Sequence, residues 1–318
     1  YHLGRLRLAA GDAAGAVQRF RGAVTANGND VLARLALALA LRQTGQLVEA
    51  REQLTQVERI DPTNREGWAE RFLAGGDAAS KQQLVELMGG QSQEAMSVAV
   101  FYRKLGRWKD AVQVLRLVDG ANRDKWGTTP EFYYTLAYCQ KRAGDEAAAA
   151  ASRLKARQAA GKVDRFPYRD EAEVALRDAV NADGQDALAR YLLGCWLYSR
   201  EQRGAAVEQW EAAVAASPTD FSSRRALGLA YAEQGQPLEK AAAQLEKAVQ
   251  LQPANLRALN DLSALYARAG RFGEQLTLLK TAFARSPKDD DLAEGILTAH
   301  LSQGGYAEAE ALIAGHQF

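Results

Sequence analysis

Alanine and leucine carry the hydrophobic pattern of this chain, in blocks of helix length separated by glycine and proline. The stretch Val31 to Leu41 and the run Ala147 to Ala151 are the clearest blocks. Alanine costs least in a helix, so the pattern predicts helices throughout. The breaks recur at fixed intervals. Gly11 and Gly45 lie 34 apart, as do Ala16 and Ala50, and the pairs Leu193-Gly194 and Leu227-Gly228. Pro218, Pro253 and Pro287 are spaced by 35 and 34, and Gly235, Gly270 and Gly304 repeat those intervals.

A period near 34 with these residue types resembles the tetratricopeptide repeat (TPR), a helix A–turn–helix B unit with the pattern W-x2-L-G-x2-Y, then A-x3-F, then P. The small residue after Leu lets the two helices approach closely. The glycine between them ends helix A in a left-handed conformation, the Ala of helix B sits where there is no room for a larger side chain, and the closing Pro stops helix B. In this frame residues 1–64 form two N-terminal units, marked by Leu3-Gly4, Gly11, Ala16 and Phe20, then by Gly45, Ala50, Leu54 and Asp61-Pro62. Residues 65–91 are a degenerate pair, with Trp68 and Phe72 before Gly75-Gly76 and a second short helix ending at Gly89-Gly90. Units follow across 92–163, with Tyr102, Gly106, Ala111 and Leu115, a loop at 121–129, then Tyr133, Leu136, Gly144 and Ala149. A half-unit occupies 164–186, and 187–318 hold the C-terminal units, with Gln236-Pro237 as a one-residue insertion before a helix B. The expected fold is all-α: a right-handed α–α superhelix of about eight helix–turn–helix units, two of them degenerate, in one continuous solenoid. Stacking is expected to bend or break at 65–91 and 164–186.

Length alone would suggest two ordinary domains in 318 residues, a count the repeat replaces. Forty Lys+Arg against thirty-nine Asp+Glu leave a charge of +1, which argues against nucleic acid as partner and against the RNA-reading pentatricopeptide arrays of similar period. The longest apolar stretch, 31–41, is too short to span a bilayer and contains Arg34, so no membrane partner is expected. Cys139 and Cys195 fall in apolar helical pattern and read as buried free thiols, which favours a reducing, cytoplasmic compartment. The sequence begins with Tyr1, so further chain is expected upstream.

The segment Phe166-Pro167-Tyr168-Arg169-Asp170-Glu171 and the helix ALARYLLGCWLYSRE (187–201) depart from the general TPR pattern. Together with AVEQWEAAVAASP, LNDLSALYARAGR (259–271) and the ending EALIAGHQF, they resemble the C-terminal TPR region of large bacterial proteins. In those proteins an N-terminal β-sandwich of unknown function is reminiscent of sugar-processing enzymes. The likeness is strongest over 92–318. It implies a helical module cut from a larger chain, with any active site mainly outside it.

Motifs that carry chemistry are missing. His2, His300 and His316 are isolated, and no HExxH or Cys/His spacing suits zinc. No phosphate-binding glycine loop and no G-x-S-x-G elbow occurs, so neither a cofactor nor catalysis is expected of this segment. Asp289-Asp290-Asp291 read as the cap and first turn of the last A helix rather than as metal ligands. Arg103-Lys104 and Lys141-Arg142 end successive A helices, where cations are favourable without any partner.

In a TPR array the A helices line the concave face. The groove candidates are Tyr134, Tyr138, Tyr191, Cys195, Tyr198, Arg225 and Asn260. Tyrosine offers an apolar face with a polar tip, which suits an extended peptide or a sugar-bearing partner; the alternative is that several of these tyrosines belong to the inter-repeat core. The Lys/Arg–Asn pairing with which chaperone-binding TPRs clamp a terminal carboxylate is missing, since the comparable pairs are Tyr134/Tyr138, Tyr191/Cys195, Arg225/Leu229 and Asn260/Ala264. The expectation is a non-catalytic interaction module for a peptide segment or neighbouring domain, compatible with a homo-oligomer. The second reading is an accessory domain of a carbohydrate-processing enzyme.

Overall fold

The computed structural model describes residues 1–75, 78–119, 128–162, 167 and 169–316. Among them it has nineteen α-helices and no strand. The helices start where short polar side chains replace the missing intrahelical partners of the first amides. Asp30, Asn64, Asp186, Asp220, Asn255 and Asp289 each precede an A helix and accept the amide three residues on. They end where glycine takes a left-handed turn, as at Gly45 (φ 77°), Gly106 (φ 70°) and Gly270 (φ 67°). Glu201 occupies the same place with φ 61°.

The chain divides into two compact units, Tyr1–Ala182 and Asp183–Phe318. The first contains the pairs α1 (His2–Ala9) and α2 (Ala13–Ala26), α3 (Val31–Gln43) and α4 (Leu47–Ile60), α5 (Arg65–Leu73) and α6 (Ala78–Met88). These are followed by α7 (Ser92–Lys104) and α8 (Trp108–Arg116), α9 (Pro130–Arg142) and α10 (Glu146–Gln158), and the single helix α11 (Asp170–Ala182). Odd-numbered helices through α9 are A-type and even-numbered ones B-type. The regular stacking of a B helix on the next A helix, seen for α2 on α3 and α8 on α9, lapses twice. The helix α6 makes little contact with α7, which packs on α5 and α9 instead, and α11 packs on α9 rather than α10. Leu8, Phe20, Leu35 to Leu41, Leu54, Tyr102 and Phe132 share one buried core.

The second unit is more regular: α12 (Ala187–Ser199) and α13 (Arg203–Ala216), α14 (Phe221–Glu233) and α15 (Leu238–Leu251), α16 (Leu256–Arg268) and α17 (Phe272–Phe283), α18 (Asp290–Ser302) and α19 (Tyr306–Gly315). The inserted Pro237 sits just before α15 and caps it, so its missing N–H breaks no helical bond. Close approach within a pair depends on the small residue of the A helix. A Cβ added at Gly194 would lie 2.4 Å from Trp210 Nε1. The alanines opposite, Ala206 and Ala213, are fully buried.

Gly76, residues 120–127, Phe166, Tyr168 and Phe318, which the sequence reading used, lie outside the described residues. No helix among the described residues is long and apolar enough to cross a membrane.

Candidate functional site

In the first unit the helix α3 is enclosed by the chain itself. In α3, Ala33 and every residue from Leu35 to Leu41 are buried, so that helix has packing on all sides. At its end Arg42 bridges two other elements, donating from Nε to Glu70 Oε1 on α5 at 2.5 Å and from Nη2 to Asp110 Oδ2 on α8 at 2.8 Å. Tyr102 of α7 donates to the other Glu70 oxygen at 3.2 Å. Arg107, in the α7–α8 turn, donates to the Leu8 carbonyl at 2.6 Å and to Gln43 at 3.2 Å. The ends of α1, α3, α5 and α7 are thereby joined through polar side chains, and the short α5 brings them within reach. Glu70 is 0 % exposed. Burial pushes its carboxyl up to about 7 against the pull of Arg42. Burial also works against the Arg42 charge, but Glu70 and Asp110 hold it above its ordinary value.

The groove candidates in this unit are interior residues. Tyr134 is 0 % exposed and Tyr138 8 %. The Tyr138 ring meets Trp108 edge-on at 5.5 Å and lies under Arg103 at 5.4 Å, while its hydroxyl accepts from Arg142 at 3.3 Å. Their burial agrees with the alternative that these tyrosines belong to the inter-repeat core, and α9 packs on α8, α10 and α11. The basic pairs are used in the same packing. Arg103 donates to the Glu171 carbonyl at 3.1 Å, Lys104 lies 3.8 Å from the Glu171 carboxylate, and Lys141 donates to Asp178 at 2.6 Å. Cys139 is buried, and burial pushes its thiol up to about 11.

The second unit differs. Tyr191 is 8 % exposed and is likewise a packing residue; it hydrogen-bonds Cys195, whose thiol burial pushes up to about 12. Tyr191 is closed off, whereas Cys195 keeps intermediate exposure and is not the fully buried thiol its apolar pattern suggests. Tyr198 remains half-buried, with its ring against Trp210 at 5.4 Å, and its hydroxyl donates to Glu233 on α14. Arg225 of α14, whose side chain is 30 % exposed, donates to Asp261 of α16 at 2.5 Å, and Asn260 is exposed. Beyond Leu256 at its start, the exposed positions of α16, Arg257, Asn260, Ala264 and Arg268, recur every three or four residues and form one stripe. Tyr198, Arg225 and Asn260 thus sit on three successive A helices, with cross-links from each A helix to the next. Glu233 and Asp261 were not singled out from the sequence; their signal is an acid about one period downstream of the donor, 35 and 36 residues on.

Asp289 caps α18 by accepting the Leu292 amide at 3.1 Å, and Asp290 meets His316 at 3.0 Å, so two of the three aspartates are engaged within the chain. Among the described residues no group of three His, Cys, Asp or Glu side chains is placed to hold a metal.

Paired antiparallel helices, left-handed glycine turns and small residues at the helix crossings define an α-solenoid repeat protein. Models described as tetratricopeptide repeat match residues 7–70 in the first unit and 191–239 and 227–290 in the second, and the chain therefore carries tetratricopeptide repeats in both units. No curated protein sequence matches it. Similar solved structures include MamA of strain AMB-1, 20% identical over 58% of this chain and 88% of that one, with a TM-score of 0.41. A tetratricopeptide repeat protein from Parabacteroides merdae is 16% identical over 70% of this chain and 78% of its own, at a TM-score of 0.38. YrrB, described as a TPR protein with an unusual peptide-binding site, is 18% identical over 76% and 96%, at 0.30.

Proposed function

We propose that the chain is a non-catalytic protein-interaction scaffold whose second unit receives a peptide segment or a neighbouring domain across its A-helix face. The observation that carries this reading is the contrast between the units. In 1–182 the helix α3 is buried from Leu35 to Leu41 with its end tied down by Arg42 and Arg107, and Tyr134 and Tyr138 of α9 are interior, whereas in 187–302 Arg225, Asn260 and Tyr198 stay at least partly exposed on α14, α16 and α12. Stacked repeats of this kind present extended binding surfaces, and a face that mixes an arginine, an amide and an aromatic ring suits polar peptide backbone as well as apolar side chains. The accessory-module reading, in which the helices serve a carbohydrate-related β-sandwich enzyme, has the motif likeness behind it and no feature of the helices themselves.

A photo-crosslinking amino acid placed at Asn260 tests the proposal, with Val48 on the exposed side of α4 as the reference position. Expected is a defined protein adduct at 260, lost on Arg225→Glu and missing at 48. Identical adducts at both positions, or adducts at 260 insensitive to Arg225→Glu, would refute it.

A further inference from the structure

A cavity of about 460 Å³ opens in the first unit between the α7–α8 turn and the end of α9. Its volume is within the range of small-ligand sites. Its lining is markedly basic: Arg107, Lys109 and Arg142 contribute three cations, beside Trp108, Gln113 and Asp110. The single carboxylate does not offset them. Asp110 is buried and already accepts from Arg42 at 2.8 and 3.4 Å.

The three cations, by contrast, form no ion pair or hydrogen bond with a carboxylate among the described residues, although Asp110 lies near enough to Arg107 to favour its charge. Arg142 lies over the Trp108 ring at 4.5 Å and otherwise donates only to the Tyr138 hydroxyl. Stacking fixes the plane of its guanidinium and leaves its other N–H groups available. Lys109 is exposed and makes no ion pair. Arg107 is fastened by Leu8 and Gln43 through its two terminal nitrogens, which leaves its Nε buried without a hydrogen-bond partner.

We propose that this cavity binds an oxyanion, a carboxylate or phosphate group carried by a ligand. The two share the chemistry the site offers: a planar donor held against an indole and a mobile ammonium, beside the fixed positive charge of Arg107 on the cavity wall. The lining residues all belong to the first unit, and none of them is shared with the face proposed above for α12, α14 and α16. Burial also holds Arg107 below the usual guanidinium value, and an anion in the cavity would restore it.

The test uses the full chain labelled with 5-fluorotryptophan, in which Trp108→Phe identifies the Trp108 resonance among the five tryptophans. Inorganic phosphate, acetate and chloride are titrated at matched ionic strength and followed by fluorine NMR. Expected is a saturable shift of the Trp108 resonance with a Kd in the millimolar range, as suits so small a probe, and no saturable shift with chloride. Lys109→Gln, an exposed side chain with no ion pair, weakens the response about fivefold with unchanged thermal melting, and Arg142→Gln weakens it by about as much while the chain stays folded by circular dichroism. Tighter phosphate than acetate assigns the site to a phosphate-bearing ligand, and the reverse order to a carboxylate. A drift equal to that with chloride, or saturable binding that survives the double Lys109→Gln/Arg142→Gln variant, overturns the proposal.

Discussion

The close approach of α12 and α13 makes Gly194→Ala the sharpest test of how these repeats are held together. The new Cβ would stand 2.4 Å from Trp210 Nε1, 2.6 Å from Cδ1 and 2.8 Å from Cε2. All three atoms belong to a rigid, buried ring, which cannot swing aside as the end of a flexible chain could. The ring is also held on its other side by Tyr198 at 5.4 Å and by its own donation to the Tyr191 carbonyl at 3.1 Å. Overpacking of this kind costs about 1–3 kcal/mol, and displacing the indole from its hydrogen bond adds about 1 kcal/mol. Alanine recovers about 1 kcal/mol through its helix propensity. The net expectation is a loss of about 1–3 kcal/mol, read by urea unfolding with circular dichroism. Gly22→Ala, at an exposed site in α2 with no atom within 4 Å of the added Cβ, isolates the propensity gain and should stabilise by up to about 1 kcal/mol. In a Trp210→Leu background the Gly194→Ala penalty should largely vanish. A full penalty persisting there, or none in the parent protein, would show that the helix crossing is not set by this contact.

Glu201→Gly should stabilise the second unit by about 1 kcal/mol in the same unfolding assay, because Glu201 alone among the described non-glycine residues has a left-handed φ, 61°. Asp220→Ala removes the oxygen that accepts the Ser223 amide at 2.7 Å and should cost about 1 kcal/mol, with helix α14 losing hydrogen-exchange protection in its first turn. The Glu70 carboxyl is raised from 4.5 to about 7 in the fold, so the folded state binds more protons than the unfolded chain between those values. The stability this group contributes is present in full below about 4.5 and is lost as pH rises through about 7. Glu70→Gln should therefore remove part of the downward slope of stability across that window, and an unchanged slope would rule out Glu70 as its source.

Much of the local architecture is legible in the sequence because its determinants act over short range. A glycine at the A–B turn, an Asp or Asn before an A helix, and a small residue facing an aromatic sixteen positions on, as Gly194 faces Trp210, each work within one unit. Their recurrence near every 34 residues announces the helix pairs. The groove was less legible. Tyr134, Tyr138 and Tyr191 occupy A-helix positions that an ideal repeat would expose, yet they are buried. One sign was present in α3, where the apolar residues surround the helix instead of forming a stripe, a pattern that belongs to a helix covered on every side.

The polar bridges were not legible at all. Arg42 reaches Glu70 and Asp110 over 28 and 68 positions, and Arg107 reaches Leu8 over 99. No periodic rule links such residues, because their meeting depends on how far the short α5–α6 pair lets α1, α3 and α7 converge. The amino-acid sequence alone thus determined the helices, their turns and their pairing, through backbone conformation and contacts inside one repeat. Only the tertiary structure decided which A-helix surfaces stay open, because exposure depends on which elements far along the chain pack against each helix. The same packing leaves Arg107, Lys109 and Arg142 around one cavity, which no spacing along the chain announces.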